Sequence, residues 1–125
     1  MSTQQDVSRI AMRLPGVSKD PGGFAFTVPW KGRQKGFVWA WNERVDPKKG
    51  RVPNTRVLVV RVRNLTEKEL LLEADGEKFF TEPHYNGYPA IHVRLPAIEP
   101  EELEGLVVEA WRTLAPKELL KQLEG

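Results

Sequence analysis

The stretch Gly22-Gly23-Phe24-Ala25-Phe26-Thr27-Val28-Pro29-Trp30-Lys31-Gly32-Arg33-Gln34-Lys35-Gly36-Phe37-Val38-Trp39-Ala40-Trp41 decides the fold. Two aromatic-rich runs, 24–28 and 37–41, flank a glycine-containing cationic connection from Trp30 to Gly36, which predicts a β-hairpin. Downstream, residues 42–55 contain Pro47, Gly50 and Pro53 and read as a loop. The β-branched run Arg56-Val57-Leu58-Val59-Val60-Arg61-Val62 returns as a third strand of an antiparallel sheet. Upstream, Val7, Ile10, Ala11 and Leu14 recur at helical spacing. They predict a helix from Thr3 to about Leu14, capped by Ser2 or Thr3 and stopped by Pro15-Gly16.

Beyond the third strand, Thr66 and Glu69 have the spacing of a capping box, which predicts a helix over Glu67–Ala74 ending near Gly76. Two prolines and an Asn-Gly pair make Lys78–Pro89 a turn-rich segment in which Phe79-Phe80 can form a short strand. Ala90–Leu95 reads as a strand. Pro100 opens a helix over Glu101–Leu114, with Leu103, Leu106, Val107, Ala110, Trp111 and Leu114 on one stripe, and Pro116 restarts a last helix over Lys117–Leu123. The order α-β-β-β-α-(β)-β-α-α predicts a two-layer α+β domain over 1–125, an antiparallel sheet with helices packed on one face.

With 125 residues, 40% hydrophobic and 29% charged, the chain suits one core and excludes collagenous and low-complexity classes. No apolar run approaches a membrane span, and the N-terminal MSTQQDVSRI has no signal-peptide centre, so the expectation is a cytoplasmic protein with no membrane partner. The absence of cysteine excludes disulfides, thiolate metal sites and a catalytic thiol. Net charge of +2 conceals a division: residues 1–65 hold 13 Lys+Arg against 4 Asp+Glu, whereas 66–125 hold 6 against 13. A basic half attracts an anionic partner, or lies beside the acidic half and is neutralised by it.

Little catalytic chemistry fits. His84, His92 and Glu82 match neither HExxH nor a facial-triad spacing, so no metal is expected. Ser2, Ser8 and Ser18 stand in no GxSxG, and there is no P-loop or GxGxxG. The glutamates at 67–73 and 99–104 complement helix N-termini. Two constellations remain. Lys31, Arg33 and Lys35 on the hairpin, with Lys48, Lys49 and Arg51 on the next loop, form a candidate nucleic-acid surface, because phosphates attract cations without strict geometry. Solubility and edge protection account for the same residues equally well. The loop around Glu82, His84, Tyr85, Asn86 and Tyr88, with Arg94 beyond it, gathers an imidazole, phenols and an amide that could line a small-ligand pocket or simply cover the sheet edge.

Leu14-Pro15-Gly16-Val17, then Phe80-Thr81-Glu82-Pro83-His84-Tyr85-Asn86-Gly87-Tyr88-Pro89-Ala90, then Val93-Arg94-Leu95 and Ala110-Trp111-Arg112-Thr113-Leu114-Ala115-Pro116-Lys117 resemble the MmcQ/YjbR family. Pro83, His84, Asn86, Pro89 and Arg94 match its pattern most closely, and residues 42–55 are longer than the family leads one to expect. The resemblance implies a CyaY-like, double-wing α+β fold related to secretion chaperones and a DNA-binding role, and it brings no established catalytic residues to carry over; no cofactor is expected. The expectation is a non-enzymatic DNA-binding protein contacting phosphates through its basic loops. Its alternatives are a protein-interaction module or homodimer, and a small-ligand site at 82–89.

Overall fold

In the computed structural model, which describes residues 1–124, six strands form one antiparallel sheet. In chain order the elements are α1 (Gln4–Ala11), β1 (Ser18–Lys19), β2 (Ala25–Trp30), β3 (Arg33–Glu43), β4 (Val52–Arg61), α2 (Leu65–Ala74), β5 (Phe79–Phe80), β6 (Ala90–Arg94), α3 (Pro100–Leu114) and α4 (Lys117–Glu124). The sheet order is β1-β2-β3-β4-β6-β5. The expected α+β class and the packing of helices on a sheet face are both present.

Alternation along the strands sorts their side chains. Phe26, Val28, Val38, Leu58, Val60, Ile91 and Val93 share the core with Val7 and Ile10 of α1 and with Leu103, Val107 and Trp111 of α3. A register shift after Phe26 leaves Phe37 as an extra residue in β3, so the adjacent Phe37 and Val38 are both fully buried. Trp111 is buried completely, and its indole N–H donates to the Pro15 carbonyl at 3.0 Å, tying α3 to the turn after α1. At that turn Gly16 has φ +73°, and a Cβ would lie 2.5 Å from Leu119 of α4; only glycine suits the site.

Three local expectations are corrected. The hairpin connection is not a seven-residue loop but the two-residue turn Lys31-Gly32, with φ +49° and +81°, closed by the pair Trp30 and Arg33. Positive φ at both positions matches the twist of the flanking strands. Residues 42–55 are not all loop, because β3 and β4 continue pairing at Trp41 with Asn54 and at Glu43 with Val52, which leaves only 44–51 as the connection. The cap of α2 is Asn64, whose side chain accepts from the Glu67 amide at 2.9 Å; Thr66 lies one position inside the helix. Asn in an extended conformation is a strong N-cap, and it starts the helix two residues earlier than the Thr66–Glu69 pair indicates. A short β1, pairing with β2, adds an edge that no alternation announced.

Candidate functional site

β3 is 11 residues long, and at roughly 3.3 Å per residue its ends stand about 35 Å apart. The two cationic constellations therefore occupy opposite ends of the sheet and are not brought together. At the hairpin end, Trp30 is ringed by cations: the ammonium of Lys35 lies 3.8 Å from its ring centroid, that of Lys31 4.6 Å, and the Arg33 guanidinium 5.4 Å. Arg33 and Lys35 are strand residues and only Lys31 is in the turn. Its left-handed backbone would be adopted more cheaply by Asn or Gly.

At the other end, Arg44 turns inward and donates to the carbonyls of Pro47 and Lys49, while the Lys48 amide donates to Asp46 at 2.9 Å. This internal scaffolding leaves Lys48 and Lys49 exposed. Arg51 donates to the Asn42 carbonyl at 3.0 Å and its other nitrogen lies 3.3 Å from the His84 ring. His84, with a side chain 70% exposed, also lies 3.5 Å from the Glu82 carboxylate. The second basic loop and the 82–89 loop thus meet at Arg51, His84 and Glu82. Asn86 is exposed. Arg94 faces neither loop tip; its guanidinium stacks 4.2 Å from the Phe80 ring centroid and donates to the Gly76 carbonyl at 3.0 Å.

Residues 82–89 form a strap across the sheet face opposite α1 and α3. Tyr85 packs edge-on against His92, ring centroids 4.6 Å apart, and its hydroxyl accepts from the Trp39 indole at 3.2 Å. Tyr88 accepts from Arg61 at 3.1 Å. Lys68 of α2 reaches under the strap and donates to the carbonyls of Tyr85 and Tyr88. This lysine is only 4% exposed, and its burial lowers its pKa. Sequence reasoning missed it, although its phase with Leu71 and Leu72 marks an inward position. Replacing Lys68 with Met should keep α2 packed but release two strap carbonyls. Hydrogen exchange of the Tyr88 and Ala90 amides should quicken about tenfold, and stability should fall by about 1–2 kcal/mol. Unchanged exchange in that variant would show that the ammonium does not hold the strap.

His92 is completely buried among Trp41, Phe80 and Tyr85, with ring centroids 4.6–5.1 Å away. Burial, with a smaller contribution from Lys68, outweighs the attraction of Glu82 and lowers its pKa to about 4, so it is neutral near pH 7. Among the described residues no three His, Asp or Glu side chains are grouped to hold a metal, and no helix is long and apolar enough to cross a membrane.

No family model matches the chain. The uncharacterized protein Rv2570 of Mycobacterium tuberculosis strain H37Rv is 35% identical over 130 residues, a match covering 97% of this chain and 95% of the relative. The uncharacterized proteins MT2646 of M. tuberculosis strain CDC 1551 and Mb2600 of Mycobacterium bovis match to the same extent. The crystal structure of Deinococcus radiodurans protein DR2400, a DUF419 domain, has a TM-score of 0.70 at 18% identity, covering 99% of this chain and 89% of its own. At that identity the likeness is one of fold.

Proposed function

The chain belongs to the family of the mycobacterial proteins Rv2570, MT2646 and Mb2600, and from that premise we propose that it is a non-enzymatic DNA-binding protein whose two cationic turns hold phosphates. One observation carries the reading. At the hairpin turn Lys31, Arg33 and Lys35 gather within 5.4 Å of the Trp30 ring, and among the described residues none of these three, nor Lys48, Lys49 and Arg51, is ion-paired with a carboxylate. Cations without an internal counter-charge keep their field for an external anion.

Two further features support it. A lysine stands at a left-handed turn position where Asn or Gly costs less, which favours a role for the charge itself. The spacing of the two turns, about 35 Å, is close to one turn of a B-form duplex, so both can meet the same backbone on one side. The fold likeness to DR2400 and the motif at 80–90 support placing the family within the MmcQ/YjbR group.

Fluorescence anisotropy of labelled duplex and single-stranded DNA at two salt concentrations tests the proposal. Four to six phosphate contacts predict an affinity loss of about a hundredfold to a thousandfold between about 50 and 200 mM salt. Salt-insensitive binding, or none at low salt, would leave the turns as solvated edges and make protein partners the leading search.

A further inference from the structure

Trp41 Nε1, Thr81 Oγ1, Glu82 Oε1 and both ring nitrogens of His92 are buried polar atoms without a hydrogen-bond partner among the described residues. They are not scattered. Phe80 pairs with His92 across β5 and β6, Thr81 and Glu82 follow Phe80 directly, and the Trp41 ring lies 5.1 Å from the His92 ring. Polar atoms left unpaired in an interior are costly, so the gathering of Trp41, Glu82 and His92 beside the Tyr85 strap calls for a partner.

We propose that this corner is a binding site for a planar nitrogen heterocycle of the nucleobase class. Around the Tyr85 ring the surroundings are aromatic: His92 lies 4.6 Å from it and is itself packed 5.1 Å from Trp41 and 4.9 Å from Phe80. The polar atoms set the ligand's edge. Trp41 offers an N–H and needs an acceptor, while the inner oxygen of Glu82 needs a donor; its outer oxygen already faces His84. Neutral His92 can give one bond and take one. An alkylammonium would satisfy Glu82 and the rings but leave the indole N–H unpaired, and a simple anion would be repelled by Glu82. A flat ring carrying N–H donors beside carbonyl or ring-nitrogen acceptors meets all of them.

The Tyr85 phenol marks the slot. It is one aromatic ring in size and packs on His92; its hydroxyl accepts from the Trp39 indole, while the Tyr85 backbone carbonyl accepts from Lys68 beneath the strap. A base enters by displacing that ring, with the strap pivoting at its ends, so affinity is reduced by the work of opening it. The site adjoins the second cationic turn, because His84 lies 3.5 Å from Glu82 and 3.3 Å from Arg51, and a nucleoside, which carries no phosphate, probes it without the phosphate contacts of that turn.

The test is a titration of the full ¹⁵N-labelled chain with guanosine, adenosine, cytidine and uridine, following the indole signals of Trp41 and Trp30 and the imidazole nitrogens of His92. At least one nucleoside should move Trp41 and His92 but not Trp30, saturating at micromolar to millimolar concentration with little dependence on salt. Glu82→Gln and Trp41→Phe should each weaken that binding about tenfold, the equivalent of one hydrogen bond, with the melting transition retained. Four nucleosides that leave both signals unmoved overturn the proposal. So do shifts that survive both substitutions, and so does exchange of these signals with bound water alone. Where a nucleoside binds, a single-stranded oligonucleotide with and without one abasic position assigns the source: the same Trp41 shift lost at the abasic position means a base of a strand, and no shift from the oligonucleotide means a free nucleoside.

Discussion

Substituting Ser for Lys31, Arg33, Lys48 and Lys49 together is expected to weaken duplex DNA binding by roughly a thousandfold at about 0.1 M salt and to flatten the salt dependence by about four ions. The four side chains are exposed and carry no carboxylate partner among the described residues, so stability should be nearly unchanged. The geometry adds a finer expectation. The two pairs stand at opposite ends of β3, too far apart to interact, so their effects on log affinity add if both turns rest on one duplex. Each pair alone should then remove about half of the loss. If one pair carries the entire loss, a single turn touches DNA and the match to one helical repeat is coincidence. If neither matters, the cations serve solubility. The same anisotropy titration, repeated on the three variants, separates these outcomes.

How far the sequence announced this arrangement depends on the range of the contacts involved. Short-range patterns carried through: the aromatic-rich run Phe37–Trp41, the stripe from Leu103 to Leu114 and the stop at Pro15-Gly16 each place an element correctly within a few residues. The errors came where two local signals competed. Asn64 and Thr66 both offer a cap, and the chain uses the first because its extended backbone aims the amide oxygen at the Glu67 N–H. Pro53 looked like a loop residue, yet a proline pairing with Asn42 is tolerated where its missing N–H is not needed by the ladder.

The site was legible as an inventory and not as a map. Glu82, His84 and Tyr85 stood out by composition, but their partners Arg51 and Trp39 lie 33 and 46 residues away, and no spacing rule predicts such meetings. His92 illustrates the limit best. Alternation put Ile91 and Val93 in the core and His92 on the opposite face, which would normally be wet. Only the strap, docked through Trp39, Arg61 and Lys68, turns that face into an interior.

That burial predicts a loss of stability in acid. The folded-state pKa of His92 is lowered from 6.5 to about 4, chiefly by desolvation, so the unfolded chain binds the proton more readily. The contribution of a neutral His92 is therefore complete above about pH 6.5, shrinks as pH falls, and is gone below about pH 4. The full difference corresponds to about 3 kcal/mol, and about 2 kcal/mol should already be lost between pH 8 and pH 5. Glu82 opposes the effect by favouring the charged ring, and Lys68 reinforces it. Asp6, whose pKa is lowered mainly by the Thr3 backbone N–H, also loses stabilisation in acid, but as a carboxylate it does so mostly below the range in which His92 acts. Urea unfolding at pH 8, 6 and 5 on the protein and on His92→Phe separates the two. The variant keeps an aromatic ring among Trp41, Phe80 and Tyr85 while removing the titrating group, and its midpoint should stay nearly level from pH 8 to 5 while that of the parent falls. Parallel curves would mean that the ring takes up its proton without disturbing the fold, and that the strap admits water to His92.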